Sequence, residues 1–230
     1  MSATQANSAT PASGETAQTQ AWRGEFGRAY TDRNALEVHE LDELWLKNYG
    51  VTRSEINCSF LEGVPKTAKI LEVGCNLGNQ LALLQDQGYT NLTGIEIQPY
   101  ALQIARVRLP AVQFHLGSAL ALPFEDNSID LVFTSGVLIH IAPADLAQAL
   151  KEIHRCTRGY IWGSEYFSPR PQTVNYRGHD GLLWKMDYAR TYLSLFADLE
   201  LVRERRLAYI GSSNVDSVFL LRKKHPELNG

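Results

Sequence analysis

The chain has 230 residues, 44% of them apolar and 20% charged, a globular balance that excludes a disordered, fibrous or collagen-like protein. Twenty-two Lys and Arg against 25 Asp and Glu leave a formal charge of −3, a poor basis for binding nucleic acid or an anionic membrane surface. Three scattered cysteines (Cys58, Cys75, Cys156) form no CxxC, and the histidines show no metal spacing, so the composition predicts no metal, no disulfide framework and a reducing, cytoplasmic setting.

Residues 1–20 are rich in Ser, Thr, Ala and Gln, with Glu15 the sole charge. They lack the basic and apolar blocks of a signal peptide and are expected to be a disordered tail. No apolar run approaches the roughly 18 residues of a membrane span. Residues 21–64 read as an N-terminal helical cap. Leu41, Leu44, Trp45 and Tyr49, at three- and four-residue spacing, predict a helical stretch from Ala35 to Leu61, ended by Gly63-Val64-Pro65.

From residue 65 to 225, short apolar runs alternate with helical patterns. Strands are predicted over Lys69 to Val73, Asn91 to Ile97, Val112 to Leu116, Ile129 to Thr134 and Tyr160 to Trp162. Helices are predicted over Leu77 to Gln87, from Pro99 and from Pro143. Residues 167–183 read as a loop, 186–197 as a helix, and Leu199 to Tyr209 and Val215 to Leu221 as a closing hairpin. This is an α/β fold: a doubly wound, mostly parallel sheet with a C-terminal antiparallel hairpin and the helical cap, all one domain. Ligands bind such sheets at the carboxyl ends of the strands.

The first strand runs into Glu72-Val73-Gly74-Cys75-Asn76-Leu77-Gly78 and then Asn79. Glycines where a buried strand turns into a helix let a backbone approach a ligand. Their four-residue spacing differs from the G-x-G-x-x-G of dinucleotide sites. It resembles the E/D-x-G-x-G-x-G loop of class I S-adenosylmethionine (SAM) methyltransferases, with Asn76 at the middle glycine; that resemblance implies the Rossmann-like form of the fold. Cys75 reads as a small packed residue, and Asn79 as a helix cap or a cofactor contact. Glu96, at the end of the second strand with Ile97 after it, is placed to accept both hydroxyls of a ribose. Gly117-Ser118-Ala119 follows the third strand, where many of these enzymes carry an Asp for adenine; the Ser118 hydroxyl can accept one hydrogen bond there. Leu120, Leu122 and Phe124 suit the adenine or the core equally. Asp130 reads as structural. Ser135 and Gly136 follow the fourth strand, beside the expected sulfonium, and His140 after them is a candidate general base.

A narrower resemblance covers residues 22–223. Trp22-Arg23-Gly24-Glu25-Phe26-Gly27, Tyr30 and Arg33-Asn34, then Glu72, Gly74, Asn76, Gly78 and Asn79, then residues 136–141, Glu165-Tyr166-Phe167 with Pro169, and Tyr176 to His179 are similar to the motifs of the pseudaminic acid biosynthesis-associated methylases. Asn76 and Ser118 are normal for that family. Lys185-Met186-Asp187-Tyr188 departs from its pattern, as does the lone Asp216 where the family has an acidic pair. The resemblance implies SAM as cofactor, S-adenosylhomocysteine as product, and a small polar acceptor, expected to be anionic, such as a nonulosonic acid or nucleotide-sugar intermediate. Arg33, Arg177 and His179 suit an anionic group. Tyr30, Tyr166 and Tyr176 could wall the sulfonium, and Glu165 could bind an amine or take a proton. An NAD-linked oxidoreductase and a non-catalytic SAM-binding module are the competing readings.

Overall fold

A computed structural model describes residues 16–224. The expected tail lies outside the described residues up to position 15, but its last residues do not fit that expectation. Helix α1 spans Ala17–Arg23, capped by the Thr16 hydroxyl, which accepts from the Thr19 N–H. Helix α2 (Glu25–Arg33) follows after Gly24. The helical stretch expected over residues 35–61 is two helices, α3 (Val38–Tyr49) and α4 (Arg53–Phe60). Gly50 ends α3 in the left-handed conformation, φ +72°, and Thr52 with Glu55 forms a capping box that starts α4.

The alternating core then runs β1 (Ile70–Val73), α5 (Asn79–Asp86), β2 (Leu92–Glu96), α6 (Pro99–Arg108), β3 (Gln113–Leu116), β4 (Ile129–Ser135), α7 (Pro143–Cys156) and β5 (Thr157–Tyr166). Residues 167–183, expected as loop, contain β6 (Gln172–Thr173), which pairs with β7 (Trp184–Lys185). Helix α8 (Tyr188–Leu195) leads to β8 (Leu199–Ala208) and β9 (Val215–Lys223). No helix among the described residues is long and apolar enough to cross a membrane.

The main sheet has the order β3-β2-β1-β4-β5-β9-β8. The first five strands are parallel, and β9 and β8 add the expected antiparallel hairpin. Strand order reverses between β1 and β4, with successive strands added to one side and then the other, which creates the crevice where a doubly wound sheet takes its ligand. Both faces are covered. Leu41, Trp45, Ile56 and Phe60 from α3 and α4 pack with Leu131, Phe133 and Trp162. Leu146, Leu150 and Ile153 from α7 pack with Leu71, Val73, Val132 and Ile161. Full burial of an aliphatic side chain contributes roughly 1.5–3 kcal/mol, which explains why β1 is apolar on both faces except at Glu72. Asp130 is structural, as expected: it accepts from the Lys69 N–H at 2.9 Å and pairs with Arg158.

Candidate active site

A cavity of about 480 Å³ opens over the carboxyl ends of β1, β2 and β4, within the size range of small-molecule sites. Its floor is the loop after β1. Gly74, Asn76 and Gly78 all have positive φ, at +74°, +47° and +76°. A Cβ on Gly74 would lie 2.6 Å from a Val137 methyl, so glycine is required there by space as well as by dihedral. Asn76 tolerates the left-handed region better than most residues. Its side-chain amide donates to the Thr31 hydroxyl of α2 at 2.9 Å, while its Oδ1 is buried without a partner. Asn79 donates to the Asn34 carbonyl at 2.7 Å and accepts from Arg108 at 2.9 Å. It therefore does not cap α5, where Gly78 holds the N-cap position; it fixes the cap to the loop and lines the cavity.

Glu96 corrects a second expectation. Its Oε1 accepts the Ile97 and Gln98 N–H groups at 2.7 and 2.8 Å, and its Oε2 accepts the Asn76 N–H at 2.8 Å. A carboxylate oxygen accepts about two hydrogen bonds, so Oε2 alone keeps capacity, and a two-oxygen grip on a diol is not available in this arrangement. Burial raises the Glu96 pKa, and the three N–H donors oppose that rise. Gln98, which sequence reasoning missed, donates from its side chain to the Trp22, Arg23 and Gly24 carbonyls at 3.1, 2.8 and 3.0 Å. One corner thus holds both the carboxylate and the α1–α2 elbow.

Glu72, Cys75, Ile97, Gly117, Ser118, Ala119, Ser135 and Gly136 all line the cavity, as expected. Glu72 is buried with Oε2 unpartnered, and desolvation pushes its pKa well up. Cys75 is a buried packed thiol, also raised by burial. The Ser118 hydroxyl accepts the Leu120 N–H at 3.2 Å. Leu120 reaches the cavity, whereas Leu122 and Phe124 belong to the core.

His140 lies on the cavity wall, its ring 4.5 Å from Trp22 and 5.2 Å from Tyr176. Its Nδ1 is 2.6 Å from the Leu182 carbonyl, an acceptor only, so Nδ1 carries the hydrogen and Nε2 the lone pair. Burial lowers its pKa to about 4, so the ring is neutral at pH 7. Tyr30 and Tyr166 line the cavity.

The remaining expected residues lie off the cavity wall. Glu165 does not line the cavity. Side chains alternate along β5, so its neighbours Ser164 and Tyr166 face the cavity and Glu165 points away. Its carboxylate accepts the Val137 and Ile139 N–H groups at 3.2 and 3.4 Å, and so positions the loop after β4. Arg33 is exposed at the end of α2, off the cavity wall. Arg177 and His179 are also exposed and off it. They belong to a tight turn in which Arg177 (φ +54°) and Gly178 (φ +84°) reverse the chain, with Tyr176 and His179 exchanging backbone hydrogen bonds. Tyr176 packs on His140 and Phe26 without lining the cavity.

Comparison with known proteins finds a likeness in the central part of this arrangement. A model of the methyltransferase domain family matches residues 71–160, the segment carrying Glu72, the Gly74–Gly78 loop, Glu96 and His140. A demethylmenaquinone methyltransferase of Chlorobaculum parvum is 36% identical over 87 residues, which cover 38% of this chain and 35% of that protein. The chain spans 35 to 41% of the length of the first curated relatives it matches. Among solved structures, the 1,6-didemethyltoxoflavin-N1-methyltransferase of Burkholderia thailandensis, with its substrate and S-adenosylhomocysteine bound, aligns with a TM-score of 0.63 at 17% identity, covering 87% of this chain and 90% of that one. The [4+2]-cyclase SpnF aligns with a TM-score of 0.61, also at 17% identity, over 75% of this chain and 81% of that one. Both likenesses concern the fold. Residues 71–160, which the methyltransferase domain model matches, lie within a Rossmann-like sheet.

Proposed function

We propose that this chain is a SAM-dependent methyltransferase acting on a small polar molecule. The observation that carries the reading is the conjunction, at the β1–β4 crevice of a methyltransferase domain, of a left-handed glycine loop with the Glu96 carboxylate. The residues suit SAM. The backbone from Gly74 to Asn76 lines the cavity, Glu96 Oε2 can take one ribose hydroxyl, and Gly117 to Ala119 line the side that an adenine would face. SAM supplies a methyl group already activated on sulfur. The chain's own task is then alignment, exclusion of water and control of the acceptor's protonation. His140 is neutral with its Nε2 lone pair available, which suits an acceptor that must lose a proton.

The expected anionic acceptor rested on Arg33, Arg177 and His179, and none of them lines the cavity. The likeness to pseudaminic acid-associated methylases supports a small polar acceptor. Isothermal calorimetry decides the central reading. S-adenosylhomocysteine is expected to bind and NAD not to bind; heat from NAD with none from S-adenosylhomocysteine would overturn it.

A further inference from the structure

Beyond the cofactor floor, the cavity continues into a second lobe between α3 and the β5–β9 edge. Trp45, Tyr49, Tyr209 and Tyr166 form a continuous aromatic wall, with ring centroids 4.8, 4.6 and 6.2 Å apart in that order. At the lobe lies Asp216, directly opposite Tyr166 in the β5–β9 register and 6% exposed. Its Oδ2 accepts the Tyr49 hydroxyl at 2.6 Å and the Tyr209 hydroxyl at 3.5 Å, while Oδ1 is buried without any partner. A carboxylate oxygen kept out of water with no donor is costly, and such sites normally meet a donor from a bound group.

The charge around it is one-sided. Among the described residues that line the cavity there is no lysine or arginine, whereas Glu72, Glu96, Asp145 and Asp216 all do. Two cations behind the wall, Arg53 and Lys185, hold the Asp216 pKa down through space, but neither lines the cavity. Arg53 is sandwiched between the Trp45 and Trp162 rings, at 4.6 and 4.7 Å, and donates no hydrogen bond to Asp216. Lys185 donates to Asn214 at 2.5 Å from behind the Tyr166 ring. A carboxylate or phosphate entering this lobe would meet an acid and, among the described residues, no cation on the wall to pair with. An amino group would meet a free carboxylate oxygen and aromatic faces, the two features that attract cations.

We propose that this lobe is the acceptor site and that it takes an amine-bearing small molecule, its amino group anchored on Asp216. The proposal rests on the methyltransferase reading for the word acceptor only; the preference for an amine rests on the lobe itself.

The test uses the full chain with excess S-adenosylhomocysteine and three probes of one shape: benzylamine, benzyl alcohol and benzoate, followed by ligand-observed saturation-transfer NMR. Benzylamine is expected to bind best and benzoate worst. Asp216→Asn should weaken benzylamine roughly tenfold while S-adenosylhomocysteine affinity measured by calorimetry stays as in the wild type. Benzoate binding as well as benzylamine overturns the proposal, as does benzylamine binding unchanged in Asp216→Asn. Should that variant not fold, the wild-type order of the three probes decides alone. Wild-type chain that ignores S-adenosylhomocysteine yet prefers benzylamine would sink the methyltransferase reading and leave the amine site standing.

Discussion

The Asn76 side-chain amide donates to the Thr31 hydroxyl at 2.9 Å, and Thr31 in turn donates to the Gly27 carbonyl at 3.1 Å. The residue that breaks the class-typical glycine pattern is therefore the one that ties the cofactor loop to the N-terminal cap. Asn76→Gly separates tether from dihedral, because glycine adopts φ near +47° without strain. One hydrogen bond is worth about 1 kcal/mol net, so S-adenosylhomocysteine affinity should fall roughly fivefold. Proteolysis within residues 16–34 should quicken. Unchanged affinity and unchanged cleavage in Asn76→Gly would show the tether to be idle.

The α1–α2 elbow depends on a close approach. A Cβ on Gly27 would lie 1.9 Å from the Trp22 carbonyl oxygen, which is backbone and cannot swing aside. Gly27→Ala should displace α1, and with it the Trp22 and Thr19 parts of the cavity wall, at a cost of roughly 1–3 kcal/mol. Because the main sheet does not involve α1, hydrogen exchange should accelerate over residues 16–34 and stay unchanged over β1 to β5. Acceleration throughout would mean that the elbow supports the whole domain.

The parallel core was legible because its signals are local. Ile70 to Val73 is a buried run, Gly74 and Gly78 mark the turn after it, and Pro99 starts α6 where its missing N–H is harmless. The cofactor floor followed from the same signals. What sequence reasoning missed depends on tertiary placement. Glu165 sits one residue from Ser164 and Tyr166, and only strand register decides which of them faces the cavity. Arg33, Arg177 and His179 have suitable chemistry, but chain direction carries them to the surface. Asp216 acquires its role from Tyr49, 167 residues away, a pairing that no spacing rule reaches.

Glu165 should shape stability against pH. Burial raises its pKa from 4.5 to about 7, against the Thr134 hydroxyl and the N–H groups of residues 137–139. The folded value lies above the unfolded one, so its contribution is fully present below about pH 4.5 and is lost as pH rises through about 7. Asp216, raised from 3.8 to about 6, acts in the same direction. Wild-type unfolding free energy should therefore decline across that window, by up to about 3 kcal/mol from Glu165, and Tm with it. Glu165→Gln should flatten the decline, as followed by calorimetric melting. An equal slope in the variant would assign it to other groups.

His140 should be neutral at pH 7 as the Nδ1–H tautomer, because Nδ1 faces the Leu182 carbonyl and burial holds the pKa near 4. Long-range ¹H–¹⁵N spectra report the tautomer directly; a protonated ring at pH 7 would contradict the geometry. With Nε2 accepting a proton during transfer, His140→Ala should slow turnover roughly 10²-fold and leave S-adenosylhomocysteine affinity intact. Full turnover in the variant would remove His140 from the chemistry.

Glu96 carries the strongest demand on ionisation. Three N–H groups converge on its two oxygens, and all three need an acceptor. Glu96→Gln keeps the shape but turns an NH2 toward at least one of those donors, a mismatch costing roughly 1–3 kcal/mol. Glu96→Ala leaves all three donors to water and removes the ribose partner. Both variants should weaken S-adenosylhomocysteine at least about tenfold, Ala more than Gln. Burial has already raised the Glu96 pKa, so acid should mimic Gln, with wild-type affinity falling as pH falls and protonation leaving Oε2 less able to accept. Calorimetry across pH on wild type and Glu96→Gln separates the two contributions, because the Gln variant should show the weaker dependence. A steep and equal pH dependence in both would place the controlling proton elsewhere.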